Sequence, residues 1–365
     1  MTVSTESDTG KFLNSIELSI VGRPLGEIAR VRDVSSEKGV LNATIELGFP
    51  CDSAHDAIRE EISRGVSAQD DLQAGEIKLT TRITRHAAQR NLKPIDGVKN
   101  LIAVASGKGG VGKSTVAANL ALALSAEGAS VGVLDADIYG PSQPQMLGLV
   151  GQVPDSEDGK TMLPLRAHGL QVMSMGALVD ADQPMVWRGP MVTSALNQLA
   201  TQTNWENLDY LIVDMPPGTG DIQLTLAQQI PVSGSVIITT PQNIATLDAR
   251  KGLAMFRKVS IPVLGVIENM ATHICSNCGN EDAIFGEGGA DKIVDDFDVP
   301  LLGRLPLAGS IREQADSGKP TVVAEPDSAI AQAYREAAWK LSAAQAAERV
   351  DHSSKFGNIV VEEVK

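Results

Sequence analysis

Residues Gly107–Ser114 read GKGGVGKS, and this octamer decides the fold. It satisfies G-x-x-x-x-G-K-[ST], a pattern that carries weight only between a hydrophobic strand and the start of a helix. Both neighbours are present. NLIAVAS (Asn100–Ser106) precedes it as a short apolar run, and an alanine- and leucine-rich segment runs on to Glu127. Gly109, Gly110 and Gly112 let the backbone turn tightly enough to aim successive N–H groups at phosphate oxygens, with Gly107 and Val111 completing the cradle. The helix that follows presents its positive end to the same anion. Lys113 is expected to reach the β- and γ-phosphates, and the Ser114 hydroxyl to enter a Mg²⁺ shell. Thr115 is placed to hydrogen-bond an adjacent phosphate.

Outward from this loop the pattern is strand, helix, strand, repeated. The spacing predicts strands at Asn100–Ser106, Ser130–Asp135, Leu208–Asp214, Gly234–Thr240 and Pro262–Glu268, each a continuous apolar run suited to a parallel sheet covered on both faces. Helices are expected at Lys113–Glu127, Gly189–Gln202, Asp221–Gln229, Thr246–Lys258 and Ser328–Gln345. The expected class is therefore α/β, a mostly parallel doubly wound sheet, over residues 98–348. Residues 11–85 have another rhythm and read as a small α+β unit. Gly39–Gly48 (GVLNATIELG) alternates like a half-buried strand, and Gly75–Ile83 is a second strand. Cys51–Arg64 follows Pro50 as a helix capped by Asp52 or Ser53. Residues 86–97, basic and poor in apolar side chains, are the expected linker, and 349–365 the tail.

Acidic side chains close two of the strands, where the ligand crevice of an open α/β sheet lies. Asp135 and Asp137 follow SVGVL, separated by one residue so that both face the same side. Asp214 ends LDYLIVD and is expected to hold Mg²⁺ through water, with the Pro/Gly loop Met215–Asp221 after it. Asn269, in Glu268-Asn269-Met270, offers one donor and one acceptor to the N6/N7 edge of adenine. The guanine-reading pattern N-K-x-D is missing from this place, which favours ATP over GTP.

The 365-residue chain carries 31 basic and 45 acidic side chains, a formal charge of −14. Such a surface repels nucleic-acid backbones and anionic lipid, so neither is an expected partner. MTVSTESDTG lacks the basic and apolar regions of a signal peptide, and the expected compartment is the cytoplasm. Three cysteines make no disulfide framework. Cys275-Ser276-Asn277-Cys278 lets two thiolates converge on one metal centre. On spacing alone the pair is redox-active, half a zinc site or incidental. Tetrahedral zinc and [4Fe–4S] clusters both want four ligands, and His273 is a candidate third.

Lys108 is not required by the general loop pattern. With it, GKGGVGKS resembles the deviant Walker A sequence of a class that includes Min and Par positioning ATPases, arsenite-pump ATPases and nitrogenase iron protein. The resemblance implies that Lys108 crosses a dimer interface to the partner's nucleotide, that Asp137 orients and polarises the attacking water, and that Asp135 acts through the Mg²⁺ water shell. Lys108, Lys113 and Asp137 are then the catalytic candidates.

GKGGVGKST, DADIYGPSQP, WRGPM, VDMPPGTGD, IENM, the C-x-x-C and FGEGGA, in order from Ile102 to Pro326, together resemble the Mrp/Nbp35 family of iron–sulfur cluster carrier ATPases. That likeness implies a P-loop ATPase homodimer binding a labile [4Fe–4S] cluster between Cys275 and Cys278 of both subunits and passing it to apo-proteins. Two copies supply four thiolates, and Lys108 asks for the same symmetry. The WRGP (187–190) and FGEGGA (285–290) segments are read as packing and turn structure. Residues 11–85 resemble the MIP18-like (DUF59) module, in which Cys51 matches a cysteine after the strand–Pro junction. A thiolate at a helix start is reactive; the other reading is a small buried side chain. The alternatives are a MinD/ParA-like positioning ATPase and a zinc-bridged ATPase dimer.

Overall fold

Strand Val98–Ser106 (β5) is the spine of the molecule. Its side chains alternate between two separate cores: Ile102 and Val104 join one, and Leu101, Ala103 and Ala105 the other. That period of two marks a strand buried on both faces. The computed structural model of the chain describes residues 2–3, 8–89, 92–177 and 189–351.

In the amino-terminal unit, strands β1 (Thr2–Val3), β2 (Ala29–Glu37), β3 (Val40–Leu47) and β4 (Gln73–Thr81) form one sheet in that order, with helix α1 (His55–Ser67) between β3 and β4. In the larger unit, β5 is followed by helix α2 (Lys113–Ala126), β6 (Val131–Asp135), β7 (Leu165–Ala167), β8 (Leu170–Ser174), α3 (Gly189–Thr201), β9 (Leu208–Asp214) and α4 (Asp221–Gln229). Then come β10 (Gly234–Thr239), α5 (Asn243–Lys258), β11 (Val263–Glu268), β12 (His273–Ile274), β13 (Glu281–Asp282), β14 (Leu301–Arg304) and α6 (Ala329–Ala346). The central sheet has eight strands in the order β14-β11-β10-β5-β9-β6-β8-β7, all parallel except the β7–β8 pair. The expected α/β class is what folds, and all five expected strands of the larger unit are in it. β7, β8 and β14 join the sheet without having been expected from sequence.

Helix α2 is buried over Val116–Leu124 on all sides, as a helix apolar all round must be. It starts after Gly112 (φ 79°) and stops at Gly128 (φ 95°), where the Ala129 N–H reaches the Leu124 carbonyl and the Gly128 N–H that of Ser125.

The Ala87 N–H donates to the Arg349 carbonyl and the Asp351 N–H to that of Arg85, so residues 85–87 pair with 349–351. Helix α6 serves two cores, with Tyr334, Ala337 and Leu341 against the central sheet and Trp339 and Ala343 in the amino-terminal unit. Ser53 does not cap α1. Its N–H (3.0 Å) and hydroxyl (2.7 Å) both donate to the buried Glu127 carboxylate at the end of α2. Arg90, Asn91, Trp187, Arg188 and residues 352–365 lie outside the described residues. Among those described, no helix is long and apolar enough to cross a membrane.

Candidate functional site

The carboxyl ends of β5, β6, β9 and β11 converge on one crevice. Gly109 and Gly110 are exposed at its mouth, and Gly110 (φ 81°) and Gly112 (φ 79°) take backbone conformations that L side chains rarely adopt. A side chain at Gly110 would meet nothing within 4 Å, so the space above the loop is open, as a phosphate cradle needs. Lys108 is partly exposed, and its carbonyl accepts the Ser106 hydroxyl (2.9 Å). Ser114 and Thr115 are partly exposed on the first turn of α2.

Lys113 is only 6% exposed and forms a short buried ion pair with Asp214; its ammonium also lies 3.2 Å from the Ser114 hydroxyl. It is thus held in reserve by the carboxylate rather than extended into the cradle. Asp214 and Asp135 stand side by side because β9 and β6 pair in register at these residues. Asp135 is fully buried. Its oxygens accept the N–H groups of Asp137 (3.2 Å), Ser142 (3.0 Å) and Gln143 (3.1 Å) and the Ser174 hydroxyl (3.1 Å). These bonds make it the anchor of the Asp137–Gln143 loop. Burial first, then the Asp214 charge, pushes the Asp135 carboxyl up to about 7. Asp137 is half-buried at the rim, with its carboxyl raised by burial.

Sequence reasoning passed over Gln143. Its amide nitrogen donates to Asp214 Oδ2 (2.9 Å) and to the Ser114 carbonyl (3.0 Å), tying loop to carboxylate. Ser114, Asp214 and the open cradle together offer the hard oxygen donors that Mg²⁺ takes.

Asn269 is nearly buried, and its Nδ2 donates to the Val111 carbonyl (2.8 Å). A side chain on Gly112 would lie 2.3 Å from that nitrogen. The amide expected to read adenine thus uses one of its N–H groups to brace the phosphate loop. Shortly after Asn269, β12 and β13 form a hairpin whose turn carries the cysteines. The Cys275 N–H donates to the Asn280 carbonyl (2.9 Å) and the Cys275 carbonyl accepts from Gly279 (2.8 Å). Cys275 is partly and Cys278 fully exposed. Backbone N–H groups of Asn277, then Cys278, hold the Cys275 thiol below its usual range. His273 does not join them: among the described residues no three His, Cys, Asp or Glu side chains gather as a metal site. FGEGGA is packing structure, since a side chain on Gly289 would meet the Pro241 carbonyl at 2.4 Å, and the Ala290 N–H donates to buried Glu268 (2.8 Å).

Residues 97–342 match the family described as ParA: NUBPL iron-transfer P-loop NTPase. The chain belongs to this family. An iron–sulfur cluster carrier protein of Pseudomonas fragi is 60% identical over 278 residues, 76% of this chain and 97% of that protein. The mouse iron–sulfur cluster transfer protein NUBPL is 54% identical over 244 residues, 66% of this chain and 76% of its own. Among solved structures, a nucleotide-binding protein of Archaeoglobus fulgidus in complex with ADP is 35% identical, with a TM-score of 0.56 over 64% of this chain and 90% of that one. These likenesses favour the carrier reading over the positioning one, and the NTPase fold is that expected from GKGGVGKS.

Of the two readings of Cys51, the buried one holds. In this NTPase it is 0% exposed, its thiol faces the Phe49 carbonyl (3.8 Å), and burial, then Glu127 and Asp52, raises its pKa far above the usual thiol value. A reactive thiolate does not form there. Iodoacetamide at pH 7.5 is expected to add to Cys275 and Cys278 of the native protein and to reach Cys51 only in urea. Mass spectrometry reads two adducts against three, and three adducts under native conditions would refute the assignment.

Proposed function

We propose that the chain is an ATP-hydrolysing carrier of a labile [4Fe–4S] cluster, held as cargo between two copies and handed to apo-proteins. One observation carries the reading: Cys275 and Cys278 form a two-thiol half-site on the hairpin that continues from Asn269, the brace of the phosphate loop. Four thiolates close a cluster site, so a second copy related by a two-fold axis completes it. Family membership supports the same reading, because the relatives bear the names of cluster carrier and transfer proteins.

In the catalytic cycle Lys113 leaves Asp214 for the β- and γ-phosphates of ATP. Ser114, and Asp214 through water, would hold Mg²⁺, which would supply neutralisation of charge on the transferring phosphoryl group. Asp137, half-buried at the rim, orients the attacking water, and Lys108 reaches the nucleotide of the partner copy. Residues 11–85 are proposed to be a MIP18-like module. The cytoplasm is the proposed compartment, since exposed thiols next to a nucleotide site suit a reducing environment.

The test is anaerobic reconstitution with iron and sulfide. About four iron and four sulfide per dimer are expected, the number of thiolates that two chains bring to one cluster, followed by transfer to an apo-acceptor. Stoichiometric zinc that iron does not displace would select the zinc-bridged dimer instead.

A further inference from the structure

Gln143 is a fully buried amide side chain, at 0% exposure, in contact with both the phosphate loop and the Asp214 carboxylate. Its backbone N–H is fixed by Asp135 Oδ2 (3.1 Å), and its side-chain amide nitrogen, Nε2, donates to both the Ser114 carbonyl and Asp214 Oδ2. The remaining polar atom, Oε1, is buried without a hydrogen-bond partner, and so is the hydroxyl of Ser142 next to it. A buried carbonyl oxygen left unpaired costs free energy comparable to a lost hydrogen bond, so its place in a built site calls for a donor. Lys113 is committed to Asp214 Oδ1, and Asp135 to the backbone of its own loop. The crevice is the one in which Ser114 and Asp214 offer oxygens to Mg²⁺, and water carried by a bound ion would bring the donor that Oε1 calls for.

We propose that Gln143 is a positioning residue of the metal–nucleotide site. Its amide nitrogen fixes the rotation of the Asp214 carboxylate against the backbone of Ser114, and its carbonyl oxygen accepts a hydrogen bond from the hydration shell of Mg²⁺. The inference rests on the nucleotide reading of the preceding subsection. When Lys113 swings to the phosphates, Asp214 Oδ1 is released while Oδ2 stays pinned by Gln143. The carboxylate therefore meets the ion already oriented, without first losing rotational freedom. Groups of this kind, which orient ligands from behind, typically tune metal affinity by 10–100-fold.

The experiment compares the full-length protein with Gln143→Met, which keeps the side-chain length, and Gln143→Asn, whose amide stops one methylene short of Asp214. Binding of a fluorescent ADP analogue is measured in EDTA and then through a Mg²⁺ titration, and Mn²⁺ binding to the ADP-loaded protein is followed by EPR. In EDTA both variants are expected to bind the analogue within about twofold of the parent, since the phosphate cradle is intact. The half-saturating Mg²⁺ and Mn²⁺ concentrations are expected to rise about tenfold. An unchanged metal midpoint in either folded variant overturns the proposal. So does an equal loss of affinity in EDTA, which would make Gln143 a purely structural support. If the parent protein binds no analogue with or without metal, the nucleotide reading itself fails, and that result is read without any variant.

Discussion

Replacing Lys113 with alanine is expected to weaken nucleotide binding by at least about 100-fold and to abolish hydrolysis, while anaerobic cluster loading stays at the parent level. Removing one preorganised charge-stabilising donor typically costs a factor of about 10²–10³, and Lys113 is the cation at the centre of the loop. The substitution also acts on the empty protein. Lys113 and Asp214 form a buried pair, and deleting one partner of such a pair typically costs about 3–5 kcal/mol because the other charge is left uncompensated. Here the loss has a built-in relief. Asp135, beside Asp214, already has its carboxyl pushed up to about 7, and Lys113 is one of the groups restraining that rise. Without the ammonium the Asp135 carboxyl rises further and keeps its proton to higher pH.

The sign of the pH dependence follows. A carboxyl whose folded pKa lies above its unfolded value, 3.8, contributes stability that is full below that value and lost as pH climbs through the folded pKa. The melting-temperature deficit of Lys113→Ala is therefore expected to be smaller at pH 6 than at pH 8. A fluorescent-nucleotide titration and melts at the two pH values check both parts. Near-parent nucleotide affinity would refute the role of Lys113, and a deficit independent of pH would refute the coupling to Asp135.

How far the sequence foretold this site depends on how local each feature is. The five central strands were legible because parallel strands covered on both faces are continuous apolar runs, and Leu208–Asp214 and Asp221–Gln229 match their expected bounds to the residue. β14 is four residues long, β8 mixes Gln and Ser with its apolar residues, and β2 (ARVRDVSSE) is polar with a register shift between Val31 and Val34. None of these gives the periodic signal of a strand. The phosphate loop was legible because its chemistry lies in eight consecutive residues. Gln143 was not, because its meaning comes from a loop folding back onto Ser114 and Asp214, 29 and 71 residues away in the chain. The choice between the two readings of Cys51 was not legible for the same reason. Its local setting, after Pro50 and before a helix, suggested a depressed pKa, but the core that buries it includes Trp339 and Ala343 of α6. The amide of Asn269 was read by its chemistry alone, and chemistry alone did not foretell that the Val111 carbonyl lies 2.8 Å from it.

Cys275→Ala is expected to remove cluster binding altogether, to less than about one tenth of the parent iron content, without affecting nucleotide affinity. The all-or-none size comes from symmetry. In a site shared by two copies one substitution deletes two of four thiolates, and the two that remain leave half the coordination shell open. The selectivity comes from the way the hairpin is built. Its turn is closed by backbone hydrogen bonds, from Cys275 N–H to Asn280 and from Gly279 N–H to the Cys275 carbonyl, and neither uses sulfur. Both thiols reach solvent, so removing one leaves no cavity in the core. Stability should thus change by no more than about 0.5 kcal/mol, the usual range for a surface substitution. Asn269 keeps its grip on Val111, so the phosphate loop is undisturbed. Iron and sulfide content after reconstitution, a thermal melt and a nucleotide titration on the same sample separate these claims. Retention of about half the parent iron would mean that each chain holds its metal alone, which refutes the shared site. Loss of nucleotide binding together with the cluster would show that the hairpin and the phosphate loop are one structural unit rather than two sites joined at Asn269.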